Sequence, residues 1–76
     1  MTTVTYQVWV ISKNGPLTVQ ESDSNGRDSW LTEHEAIELA KYKKLLYDNI
    51  DFVVVEETMG YSSESKKRRK VFSTGA

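Results

Sequence analysis

Val4-Thr5-Tyr6-Gln7-Val8-Trp9-Val10-Ile11, residues 4–11, decides how the rest of the chain is read. β-Branched and aromatic side chains dominate this stretch, and the two-residue period of a strand puts Val4, Tyr6, Val8 and Val10 on one face. Trp9 and Ile11 fall on the other. A strand with large apolar groups on both faces calls for cover on both. Asn14-Gly15-Pro16 breaks the run, because glycine takes the positive φ of a tight turn and proline offers no backbone donor to a ladder. Leu17-Thr18-Val19-Gln20-Glu21 alternates again, so a first hairpin is predicted.

Ser22 to Ser29 is polar and turn-forming throughout and reads as an exposed, mobile loop. Thr32-Glu33-His34-Glu35 then has the form of a capping box, with Trp30 or Leu31 placed to pack on the first helical turn. A helical stripe follows in Ala36, Leu39, Ala40, Leu46, Tyr47 and Ile50, interrupted by Lys43, whose methylenes can lie along a sheet edge. Ile37, Tyr42 and Leu45 fall off that stripe, and the helix is expected to end near Asn49. Phe52-Val53-Val54-Val55 is too short and too branched for a helix and reads as a third strand.

Within residues 60–76, Lys66 to Ser73 carries Val71-Phe72 near its end, which gives it strand character. This basic segment either folds back as a hairpin, setting Glu56 and Glu57 across from part of Lys67 to Lys70, or stays flexible. The expected architecture is α+β in the order β-β-α-β-β: one domain over residues 1–76, a four-stranded antiparallel sheet with one helix packed on one face.

Size and composition narrow the function. The chain has 76 residues, 38% apolar and 28% charged, with a formal net charge of −1, one His, one Pro and no Cys. A domain this small buries only about 60% of its unfolded surface, so a partner would add stability that its own core lacks. Without cysteine there is neither a disulfide nor a thiolate metal site. The longest apolar run is far short of the roughly 20 residues that span a bilayer, and the N-terminus reads as carrying no signal peptide. A soluble, cytoplasmic protein with no membrane association is expected.

The near-neutral charge conceals a division. Residues 1–65 hold 5 basic and 11 acidic side chains, whereas Lys66, Lys67, Arg68, Arg69 and Lys70 follow in one run. The run can neutralise phosphates of a nucleic acid, grip an acidic protein, or guard an edge strand while pairing with Glu56 and Glu57. Glu21-Ser22-Asp23-Ser24-Asn25-Gly26 begins like a calcium loop but reaches Thr32 where a bidentate Glu is required, so it reads as a turn. His34 sits beside Glu33 and Glu35, yet neighbours one apart on a helix do not face one another, and His34 with Glu38 makes only two ligands. No nucleophile elbow or phosphate loop is present. These features predict no catalytic residues, no metal, no cofactor and no enzyme activity.

One helix covers one face of a sheet, which leaves Trp9 and Ile11 with either Phe52 and Val54 or Val53 and Val55 on the other. Trp9, Ile11, Tyr42 and Leu45 are therefore the candidate interface residues, homodimerisation being the simplest use. Taken together, Tyr6-Gln7-Val8-Trp9-Val10, Trp30-Leu31-Thr32-Glu33-His34-Glu35-Ala36 and Phe52-Val53-Val54-Val55-Glu56-Glu57 resemble small accessory proteins of bacteriophages. The resemblance implies a compact, cofactor-free protein that binds and inhibits or redirects a host protein in the host cytoplasm, anti-defence inhibitors included. The alternative is a small nucleic-acid-binding accessory protein that uses the basic segment 66–70.

Overall fold

The computed structural model describes residues 3–11, 15–60 and 66–75. Strands β1 (Thr3–Ile11) and β2 (Leu17–Glu21), helix α1 (Glu33–Leu46), and strands β3 (Asp51–Met59) and β4 (Lys67–Ser73) follow in that order. The strands form one antiparallel sheet in the order β2-β1-β3-β4, so the fold is the α+β arrangement that the sequence predicts. The basic segment contributes a paired edge strand from Lys67 onward.

Register settles which face meets the helix. Tyr6, Val8 and Val10 stand opposite Glu56, Val54 and Phe52, and all but Glu56 belong to or pack against the cluster that includes Ala36 and Ala40 of α1. Trp9 stands opposite Val53, and Gln7 opposite Val55, on the second face. A bulge between Val54 and Val55 sets Lys70 opposite Val55 and Phe72 opposite Val54, leaving Val71 over. Strict alternation would send one of Val71 and Phe72 to each face; the extra residue lets both pack against the core.

Glu21 pairs with Val8, and Trp30 returns to pair with Tyr6, two residues further along β1, through Trp30 N–H to Tyr6 O at 2.9 Å and Tyr6 N–H to Trp30 O at 2.8 Å. The segment between is thus a loop whose ends are held on one strand, and Trp30 is buried in the core. Asp23 Oδ1 organises the loop by accepting from Asn25 N–H and Arg27 N–H, both at 2.9 Å, while Gly26 supplies a φ of +82°.

At the start of α1, the Thr32 hydroxyl accepts from Glu35 N–H at 3.4 Å and donates to the Glu35 carboxylate at 2.8 Å. Ala36 and Ala40, both fully buried, centre the contact with the sheet, flanked by half-buried Ile37 and Leu39. Ile37 therefore joins the core, against the predicted stripe, whereas Leu46 and Tyr47 are 53% and 48% exposed. The helix also ends earlier than Asn49: Tyr47 leaves the helical backbone region while its N–H still reaches Lys43 O. Lys44 Nζ then ties down the connection, donating to Asp48 O, Ile50 O and Asp51 Oδ1 at 2.8, 3.1 and 3.0 Å. Lys43 lies over the sheet edge as expected, but its ammonium is paired with Glu21, 3.4 Å from Oε1, instead of standing in water.

Candidate interaction surfaces

The second face of the sheet is layered with polar and aromatic groups. Val53 and Val55 are buried there, with Gln7 and Glu57 beside them. Glu57 has a side chain only 7% exposed, and Arg68 from β4 directly opposite donates Nε–H to its Oε2 at 2.8 Å. The Arg68 guanidinium also lies 5.2 Å from the centre of the Trp9 ring, within range of a cation–π attraction. Trp9 in turn donates its indole N–H to Gln7 Oε1 at 2.9 Å. From the same strand Lys70 donates to Gly15 O at 2.8 Å, reaching the hairpin between β1 and β2.

Electrostatics follow from this packing. Burial alone would raise the Glu57 carboxyl, but the bond from Arg68, the charge of Lys66 and a hydrogen bond from Gln7 prevail and hold it below the ordinary value. On the helix side of the sheet, Glu56 accepts from Tyr6 O–H at 3.1 Å and from Arg69 Nη2 at 3.2 Å. Desolvation, with the adjacent Glu56 carboxylate, raises the Tyr6 phenol above its usual range.

The predicted interface residues therefore occupy different surroundings. Trp9 and Ile11 are half-buried on the second face, Trp9 under Arg68. Tyr42 and Leu45 project from the outer side of α1, 57% and 83% exposed, and the i, i+3, i+4 spacing adds Leu46 to the same side. The spacing of Leu46 and Tyr47 predicts core positions, but α1 ends at Leu46 and both are surface residues.

The cations are divided too. Lys66 and Lys67 through Lys70 are all exposed as residues, but Arg68 and Arg69 hold Glu57 and Glu56, as cross-strand pairing anticipated, and Lys70 holds the hairpin. His34 Nε2 lies 3.8 Å from Glu38 Oε1 on the helix surface, far from the basic strand in sequence. Among the described residues no three His, Cys, Asp or Glu side chains are grouped as a metal site would need, and no helix is long and apolar enough to cross a membrane.

A groove of about 390 Å³ lies between α1 and β4. Lys41, Lys44, Leu45, Phe72, Ser73 and Thr74 line it, with Lys41 Nζ 6.0 Å from the centre of the Phe72 ring. Its parts lie some thirty residues apart, so no local pattern could have announced it.

Fold and surfaces define a small α+β domain with an exposed apolar helix end and a basic edge strand. Comparison with protein-family models, curated proteins and solved structures finds no match for the chain.

Proposed function

We propose that the protein is a non-catalytic interaction module of the bacteriophage accessory type, which binds a host protein in the cytoplasm and inhibits or redirects it, as an anti-defence inhibitor would. The observation that carries this reading is the outer side of α1, where Tyr42, Leu45 and Leu46 expose more than half their surface next to one another. Contiguous exposed apolar groups that include an aromatic are the usual anchors of protein interfaces. The second face supports a partner less directly, because Arg68 and Trp9 already cover part of it. Homodimerisation through that face would require Arg68 to leave Trp9 and Glu57, so a heterologous partner on the helix fits better.

Binding of nucleic acid through residues 66–70 is the weaker reading. Arg68 and Arg69 are paired with Glu57 and Glu56, which lowers the charge on offer to phosphates. The two readings part in one experiment: affinity capture from nuclease-treated bacterial lysate with the wild type and with Tyr42→Ser/Leu45→Ser. A protein retained by the wild type and lost by the folded variant supports the helix interface. Equal retention by both, or retention that vanishes with nuclease, refutes it.

A further inference from the structure

Among the described residues β4 is the outermost strand on its side of the sheet, and antiparallel pairing turns every second N–H and C=O of such a strand away from its neighbour. This edge has three properties together. Lys66 to Lys70 set five cations along it, and the facing carboxylates Glu56 and Glu57 leave a surplus of three. The alternation places Lys67 and Arg69 on the helix side and Arg68 and Lys70 on the other, so positive charge flanks the edge on both faces. Beyond the cations, the groove against α1 offers an apolar floor in Phe72 and Leu45 with the ammonium of Lys41 above it.

We infer that the outer edge of β4 takes an extended acidic segment of a partner protein as a fifth strand, with one apolar side chain of that segment seated on Phe72 and Leu45. Backbone hydrogen bonds supply the attachment, as in other cases of strand addition, and alternate side chains supply the selection. Cations on an edge repel a basic strand and leave a neutral one without charge partners, so the same residues that guard the edge choose what it admits. A second copy does not meet this requirement: β4 against β4 opposes two basic runs, and β2 brings only Glu21. A nucleic acid would satisfy the cations but use neither the edge amides nor the apolar groove. The inference rests on the interaction-module reading and names the chemistry of its partner.

The probe is a fluorescein-labelled ten-residue peptide of alternating Val and Glu in which the Glu at one end is replaced by Leu, so that Leu and the Glu side chains share the face of Lys67 and Arg69, followed by anisotropy at low salt. Comparison probes are the same peptide N-methylated at alternate residues and an oligo(dT) of equal charge. Wild-type protein should bind the parent peptide. Alternate N-methylation should weaken binding by at least about tenfold, the equivalent of about 1.4 kcal/mol of lost hydrogen bonding. Charge reversals at exposed sites, Lys67→Glu on the strand and Lys41→Glu over the groove, should each weaken it roughly fivefold with unchanged circular dichroism. Amide exchange should slow in β4 and not in β2. Undiminished binding of the N-methylated peptide, or tighter binding of oligo(dT), overturns strand addition. Failure of the parent peptide to bind also overturns it, while loss of the captured protein with Tyr42→Ser/Leu45→Ser would leave the module reading standing.

Discussion

Arg68→Ala tests whether the basic strand is part of the fold's own stability. Two contacts disappear with the guanidinium: the 2.8 Å bond to Glu57 and the stacking on Trp9 at 5.2 Å. The Glu57 carboxylate, 7% exposed, keeps Lys66 and Gln7 but loses the partner that most offsets its desolvation. Leaving a buried charged acceptor without its partner costs about 2–3 kcal/mol, discounted here because Arg68 itself is 43% exposed. The half-exposed cation–π contact adds about 0.5–1 kcal/mol. A loss of about 2 kcal/mol is a large part of the roughly 4–11 kcal/mol that a domain of this length commands, and it should lower Tm by roughly 8–16 °C. Thermal and urea unfolding at pH 7, followed by circular dichroism, measure it.

Acid sharpens the test. In the wild type the Glu57 pKa is depressed, so the pair's contribution is complete above the ordinary value of 4.5 and disappears as pH falls through the lower folded value. In Arg68→Ala burial is opposed less, and the carboxyl takes its proton at higher pH. The gap between the two proteins must therefore narrow on acidification. Glu57→Gln should flatten the wild type's acid limb, and the double variant Glu57→Gln/Arg68→Ala should lose less than the two single losses combined. A Tm drop under about 5 °C at pH 7, or a gap that does not change with pH, would refute the reasoning.

Thr32→Ala removes the helix N-cap and should cost about 1 kcal/mol in urea unfolding with the fold intact. Gly26→Ala forces a side chain onto a backbone at φ +82° and should cost about 1 kcal/mol, although the space around it is open, so any loss reports the backbone alone. Trp30→Ala should be the most severe, about 3–5 kcal/mol, because Trp30 is both a core side chain and the anchor that returns the loop to β1. A folded Trp30→Ala protein with wild-type Tm would show that the loop needs no such anchor.

What the sequence disclosed follows the range of its signals. The alternation of residues 4–11, the branched run at 52–55 and the capping box at Thr32 are local, and each marks its element. The pairing of Glu56 and Glu57 with the basic run needed only one hairpin, and both pairs form. The end of α1 was harder to read, since Leu46 and Tyr47 keep the helical spacing while Lys44 draws three acceptors of the following turn around itself. The bulge that turns Val71 and Phe72 together toward the core has no local signature in the sequence, and the groove depends on it.

Trp9 and the basic run look like two separate sites in the sequence, one apolar and one cationic, fifty-nine positions apart at Arg68. In the fold they are one structure: Arg68 lies on Trp9, Trp9 holds Gln7, and Glu57 closes the cluster. That union changes where a partner is to be sought. A small domain with one helix leaves a sheet face in need of cover, and long basic side chains from an edge strand can supply it, their stems over apolar surface and their charges on buried or rim acceptors. Arg68 covers part of that face from within, leaving Trp9 and Ile11 half-buried. Among the described residues, the outer side of α1 at Tyr42, Leu45 and Leu46 and the outer edge of β4 are exposed to a second protein. Leu45 belongs to both, because it lines the groove that separates them. A partner with an apolar patch and an acidic strand could therefore engage the two surfaces at once, and Leu45→Ser alone should weaken contact with each.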